Sequence, residues 1–426
     1  VTANATAETK ALYNSLLNIP DDRFLFGQQD TTSYGRDENG TKWSSWLHDD
    51  PLVVHRPIAS DVEDVTGTMP AVYGFDIDGI GTDTNIDGVP WETYRRNMIE
   101  AYERGGIVTV SWHAPNFATE HLKSPGSVAG TSWDTSGTTL YDVLPGGSLH
   151  EVFKQRLTLI GDYFKNLKAA DGTTIPVIFR PWHEGSGNFF WWGIGAYGAP
   201  NGEPGNADQE TLDAFKQLFE FTVTYLRDEM QVNNLIYAFC SDWLWNWDGM
   251  GVENHYKPMY PGSDYVDIIA QDNYWQLEQP YSAGGDSERF AQTLRDIVAF
   301  AKQEGKPAAL SETGRLKDQP EWFTDHLMPV FEAYPETLGI SYLLVWRNPI
   351  NRDDQYVVPF ENDGSVEAND FINFYNSSIS IFGNTMGDLY GEGYEPTDPP
   401  IVEVPDEEEP EEEPPVEEPE EEPPIV

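Results

Sequence analysis

Eight stretches of the chain are apolar almost throughout, and amphipathic segments lie between them. The apolar runs are RFLFGQQ (23–29), PAVYGFDI (70–77), GIVTVSWH (106–113), IPVIFRPWHE (175–184), LIYAFCSD (235–242), VDIIAQDNYW (266–275), PAALSETG (307–314) and ISYLLVWRN (340–348). Near-continuous apolar runs of this length predict strands covered on both faces, as in parallel sheets. The segments between them include WETYRRNMIEAYERG, HEVFKQRLTLIGDYFKNLK, DAFKQLFEFTVTYLRDEM and SERFAQTLRDIVAFAKQEG. Their apolar residues recur at three- and four-residue spacing, which predicts helices. Strands and helices in this alternation predict an α/β fold, a (β/α)8 TIM barrel. A doubly wound open sheet is the alternative, but it would carry a glycine-rich phosphate fingerprint after its first strand, and none is present.

The ends of the runs carry a second pattern. Gln28-Gln29, Asp76, Trp112-His113, His183-Glu184, Ser241-Asp242, Asp272-Asn273-Tyr274-Trp275, Ser311-Glu312 and Trp346-Arg347-Asn348 are polar or aromatic. In a barrel all of them meet at the C-terminal face, where enzymes of this fold place their chemistry. A core has no use for that repetition.

Composition narrows the ligand. Of 426 residues, 13% are aromatic and 14 are Trp, which adds either core mass or flat surfaces that stack on sugar rings. The net charge is −47, a balance that argues against nucleic acid or an anionic membrane as partner and favours a neutral substrate. Cys240 is the sole cysteine, so no intrachain disulfide and no cysteine metal cluster can form. No stretch approaches the roughly 20 apolar residues of a membrane span. The chain opens VTANATAETK without Met, as it would after removal of an export signal, so the expected location is secreted or cell-surface associated. The domain organisation expected is a catalytic domain over 1–390 and a tail over 391–426. From about Pro396 the tail repeats Pro and Glu with almost nothing to bury, which predicts a disordered linker toward another domain or the cell surface, or a solvated tail with no partner.

The chain lacks HExxH, Walker-type and G-x-S-x-G sequences, which leaves carboxylates at strand ends as the candidate chemistry. Glu184 ends the fourth run and Glu312 the seventh, positions that can face each other across a barrel mouth. A lone glutamate at a strand end is as readily a structural ion-pair partner. Two carboxyls about 5–5.5 Å apart suit a retaining glycosidase, in which one protonates the leaving oxygen while the other attacks the anomeric carbon. The proton donor must sit where it is poorly solvated. The rings that follow Glu184 offer such a site, and Tyr274, Arg180 or Asn273 are candidates to hold Glu312 ionised.

The segment RPWHEGSGNFFWWG (180–193) resembles the acid/base motif of glycoside hydrolase family 26, the β-mannanases, and ALSETG (309–314) resembles the family's nucleophile motif. FGQQD (26–30) and SWHAPN (111–116) are similar to further family motifs, so the likeness spans most of residues 20–350. The resemblance implies a retaining, endo-acting hydrolase of β-1,4-mannosidic bonds in mannan, galactomannan and glucomannan, with no metal and no cofactor. It implies Glu184 as acid/base and Glu312 as nucleophile, with His183 hydrogen-bonded near the nucleophile or the sugar. Tyr274 would donate to the nucleophile, and Arg180 and Asp272 would organise its surroundings. His113, Trp192 and Trp346 would line the sugar subsites, with Trp346 as a platform. Phe189 stands where many members carry Trp, which implies a smaller stacking surface there.

Residue chemistry by itself supports only retaining hydrolysis of a neutral polysaccharide. Mixed-linkage β-1,3-1,4-glucan and β-1,3-xylan are alternatives within the same mechanism, and a non-catalytic carbohydrate-binding protein is the alternative of another class. The long excursion over residues 113–147 can lie over the cleft, where Trp133 and Tyr141 would add a subsite or close one off.

Overall fold

The structure, a computed structural model, describes residues 1–36, 41–48, 50–197, 207–242, 251–278, 287–315, 319–349, 357–360, 364–391, 393–397 and 402. Each of the eight apolar runs forms a strand: β1 Phe24–Gln29, β2 Val72–Asp76, β3 Ile107–Trp112, β4 Val177–Pro181, β5 Leu235–Ser241, β6 Ile268–Asp272, β7 Ala308–Thr313 and β8 Tyr342–Val345. All pair in parallel with their sequence neighbours, and β8 returns to β1 with Leu25 opposite Tyr342 and Gln28 opposite Val345. The sheet is therefore a closed eight-stranded barrel, as the periodicity predicts. The helices include α1 Ala7–Leu17, α2 Trp91–Glu103, α3 His150–Lys165, α4 Gln209–Thr224, α5 Ser287–Glu304 and α6 Val366–Tyr375.

Alternate strand residues separate two buried clusters. Leu25, Ile178, Ile236, Ile268, Ala270, Ala309 and Leu344 belong to one, and Leu12 and Leu16 of α1 join them. Phe24, Phe26, Val108, Phe179, Phe239, Ile269, Leu310 and Leu343 belong to the other, together with apolar residues of α2, α3, α4 and α5. Covering both faces is what makes each strand read as an unbroken apolar run. The burial of eight such strands holds their polar ends at one rim.

One irregularity matters for the rim. Ala309 lies in the first cluster, so strict alternation would turn Glu312 the opposite way. The register of β7 shifts against β6 between Leu310 and Glu312 and against β8 between Leu310 and Thr313. Such a bulge re-aims the side chain at its centre.

The described residues beyond 390 bond back to the folded unit. The Thr397 N–H donates to Thr385 O at 2.9 Å, and Val402 exchanges two hydrogen bonds with the Asn376 side chain at 2.8 and 2.9 Å. The remainder of the expected tail, 392, 398–401 and 403–426, lies outside the described residues. Among the described residues no helix is long and apolar enough to cross a membrane.

Leu389 is fully buried against the cluster that contains α1, and its carbonyl accepts the Ser15 hydroxyl at 2.8 Å. Leu389→Ala is expected to lower unfolding stability by about 2–5 kcal/mol, measured by equilibrium denaturation. A loss below about 1 kcal/mol would contradict this packing.

Candidate active site

At the rim, one carboxylate oxygen from each of Glu184, Asp272 and Glu312 lies within 4.8 Å of the others. Bringing three acids together requires compensation, and Arg180 of β4 provides it. Its guanidinium, 3% exposed, donates to Asp272 Oδ2 at 2.7 Å and also to Glu312 Oε1. Tyr274 donates its hydroxyl to Glu312 Oε2 at 3.0 Å. Burial pushes the Tyr274 pKa well up, so the phenol keeps its proton. Ser311 donates to Asp272 Oδ1 at 2.7 Å. Asn273 does not join this set: its side-chain amide turns to Gln276 Oε1 at 2.7 Å. Glu184 has a different environment. Burial raises its pKa well above the carboxylate range, and repulsion from Asp242, Glu312 and Asp272 adds to this against the pull of Arg180. Two glutamates are thus held apart in character, one beside donors and one inclined to keep its proton.

Glu184 lies three residues past the end of β4, in a turn with left-handed backbone at Trp182 (φ 57°) and at Glu184 itself (φ 53°). Non-glycine residues in that region are strained by about 1–3 kcal/mol each, and the surroundings must hold them there. The rings that follow do this. Trp192 Nε1 donates to His183 O at 2.8 Å, Trp191 Nε1 to Ala114 O at 2.9 Å, and Trp182 Nε1 to Thr222 Oγ1 at 3.0 Å. Gly187 N–H closes the turn onto Glu184 O at 2.8 Å. Trp192 is fully buried and stacks on Phe190 with centroids 4.4 Å apart, so it braces the turn and presents no face to a sugar, contrary to the expectation from the motif. Of the four consecutive rings only Phe189 is half-buried.

Of the two partners expected for His183, the nucleophile or the sugar, the structure does not supply the first. The buried His183 Nε2 faces Nε2 of His113 at 3.3 Å and is not bonded to Glu312. Burial, Arg180 and His113 hold the His183 pKa well below its usual value. His113, at the end of β3, gives Nδ1 to Asp76 Oδ2 at 2.6 Å. Burial alone would lower the His113 pKa, but Asp76 outweighs it and, with Glu312 and Asp87, raises it. Half-buried Trp346 lies beside His113 with centroids 6.1 Å apart. From the long β3 excursion Trp133, 46% exposed, stacks over His113 at 5.4 Å. Tyr141 of the same excursion is packed elsewhere, with its hydroxyl 2.8 Å from Thr211 Oγ1.

This geometry can be set beside known proteins. Residues 1–318 match the family model of glycosyl hydrolase family 26. The chain belongs to glycosyl hydrolase family 26.

Relatives of this family 26 chain include a mannan endo-1,4-beta-mannosidase of Bifidobacterium adolescentis, 29% identical over 401 residues, which cover 89% of this chain and 35% of that protein. Mannan endo-1,4-beta-mannosidase A and B of Caldalkalibacillus mannanilyticus is 26% identical over 81% of this chain and 57% of its own length. The chain thus spans about a third and somewhat over half of these two relatives. Among solved structures, a family 26 β-mannanase of Bacteroides ovatus superposes with a TM-score of 0.73 at 32% identity, covering 91% of this chain and 98% of that one.

Asp76 and Asp242 are the neighbours of the family 26 site that sequence reasoning left without a role, although both stand at polar strand ends. The signal was position; the partner could not be read. Gly185, directly after Glu184, faces a different constraint: a Cβ there would lie 2.3 Å from the Phe215 ring. Gly185→Ala is expected to cost about 1–3 kcal/mol in unfolding free energy. An unchanged melting temperature would show that the turn and α4 are not in close contact.

Proposed function

We propose that this chain is a retaining, endo-acting β-mannanase that hydrolyses β-1,4-mannosidic bonds in mannan, galactomannan and glucomannan. The observation that carries the reading is the pairing of Glu184 with Glu312, with one oxygen of each within 4.8 Å of the other. Oxygens this close suit the carboxyl separation of retaining enzymes, about 5–5.5 Å, better than that of inverting ones, about 6.5–9.5 Å. The relatives' names supply the mannan substrate.

In the first step a Glu312 carboxylate oxygen attacks the anomeric carbon. The glycosidic bond breaks, and Glu184 gives its proton to the departing oxygen. In the second step Glu184, now a carboxylate, takes a proton from water as the water oxygen attacks the same carbon. The bond to Glu312 breaks, and its carboxylate is received by Arg180 and the Tyr274 hydroxyl. Trp346, Trp133 and Phe189 offer faces on which pyranose rings can stack. A secreted or surface-attached setting fits such a substrate, and the acidic segment after residue 402 would serve as the link to another domain or to the cell surface.

Glu184→Ala and Glu312→Ala are each expected to lose at least about 1,000-fold in kcat on galactomannan and glucomannan. Azide should restore turnover to Glu312→Ala and yield a glycosyl azide of inverted configuration. Wild-type activity in either variant, or wild-type cleavage of lichenan or β-1,3-xylan in place of mannan, would overturn the assignment.

The pH profile gives an independent check. Glu184 must hold its proton for the first step, so kcat/KM falls as pH rises through its pKa. Asp242 is the largest source of charge repulsion on that carboxyl after burial. Asp242→Asn therefore lowers the Glu184 pKa, and the alkaline limb should move to lower pH. A limb that stays in place or moves to higher pH would remove Glu184 as the proton donor.

A further inference from the structure

A chain of buried hydrogen bonds runs beneath the cleft from its rim to His113, and Asp30 is its centre. Asp30 follows β1 directly, is 1% exposed and adopts a left-handed backbone (φ 52°). Its N–H donates to Gly74 O at 2.9 Å, and its carbonyl accepts the Ser33 N–H at 2.8 Å, so the strained turn is tied on both sides. Tyr34 donates its hydroxyl to Asp30 Oδ2 at 2.6 Å, and Tyr94 donates to Asp30 Oδ1 at 2.7 Å.

Each phenol oxygen then serves a second group. The Tyr34 oxygen accepts from Arg347 Nη1 at 2.8 Å, and the same guanidinium nitrogen also pairs with Asp87. Arg347 follows Trp346 at the rim and keeps 20% of its side chain exposed. The Tyr94 oxygen accepts the Asp76 backbone N–H at 2.6 Å, and the Asp76 carboxylate holds His113 Nδ1 at 2.6 Å.

A phenol has one proton to donate. Because Asp30 accepts the hydrogen bond of both tyrosines, both phenol oxygens are left as acceptors, one toward Arg347 and one toward the backbone of Asp76. An amide at position 30 has a single acceptor oxygen, so one of the two phenol protons would lose its partner and that hydroxyl would have to reorient. Among the described residues, no other carboxylate on these two arms accepts from both tyrosines.

We propose that Asp30 is a positioning residue for the sugar-binding cleft: it aligns Arg347 through Tyr34, and His113 through Tyr94 and Asp76. The inference rests on the reading of this cleft as the saccharide site. Asp30 touches neither Glu184 nor Glu312 in this network, so its effect falls on sugar binding rather than on bond cleavage.

The test compares wild type, Asp30→Asn and Tyr34→Phe in steady-state hydrolysis of mannopentaose, with circular dichroism to confirm folding at the assay temperature and azide-free active-site titration to count competent enzyme. Asp30→Asn is expected to raise KM about fivefold or more with kcat within about twofold of wild type. Tyr34→Phe, which disconnects the Arg347 arm alone, should raise KM by a smaller factor. A KM within twofold of wild type in folded Asp30→Asn, or a loss confined to the fraction of competent enzyme, would overturn the proposal by reducing Asp30 to a folding role. If Asp30→Asn does not fold, Tyr34→Phe decides, and an unchanged KM there overturns it. Failure of the wild type to cleave mannopentaose would instead overturn the proposed function, which separates the two outcomes.

Discussion

The guanidinium of Arg180 is the group on which the catalytic rim depends. Three carboxylates meet where the barrel excludes much of the water, and carboxylates so placed repel one another strongly. Arg180, 3% exposed, lies between Asp272 and Glu312 and donates to both. Its planar fork suits two acceptors at once, which a lysine point charge would not do. Removing one partner from such a buried set leaves an uncompensated charge, at a cost of about 3–5 kcal/mol. Glu312 sits among donors, whereas Glu184 has acids for neighbours that, together with burial, push its pKa up.

The turn that carries Glu184 is a second dependency of the same site. Two left-handed residues in three would not persist in a free chain. The consecutive aromatics turn their indole N–H groups to backbone carbonyls within and beside the turn. Their burial thus stabilises a strained presentation of one carboxyl. Burial and the acidic neighbours of this half-buried carboxyl then raise its pKa. Exposed ring surface is left to others: Trp133 from the β3 excursion, Trp346 after β8 and the half-buried Phe189.

The family 26 assignment and the rim chemistry are mutually consistent. The family match covers residues 1–318, which includes both glutamates, while Trp346 and Arg347 stand beyond it. The barrel closes only when β8 pairs with β1, and this closure brings Trp346 beside His113. The Asp30 network crosses the same seam, joining the residue after β1 to Arg347 after β8.

How much was legible in the chain follows from the range of each interaction. The eight strands and the principal helices could be read within a few residues, because solvent exclusion on both faces leaves an unbroken apolar run and one-sided burial leaves a helical period. Glu184 and Glu312 were legible for a related reason: a polar residue at the end of a buried run stands out against it. Trp192 misled, because an aromatic residue looks the same in sequence whether it faces a ligand or braces a turn. The family resemblance puts His183 near the nucleophile or the sugar, and its position at a strand end makes Asn273 a candidate donor to Glu312, but hydrogen-bond direction at a rim is set by side chains from other strands. Asp30 stood in a recognised motif, yet its partners are 4 and 64 residues away. The barrel, the polar rim at its C-terminal face and the two strand-end glutamates are written in local burial patterns. Which rings stay exposed, which histidine meets which carboxylate and where the β7 bulge turns Glu312 come only with the folded chain, because each depends on contacts between segments far apart in sequence.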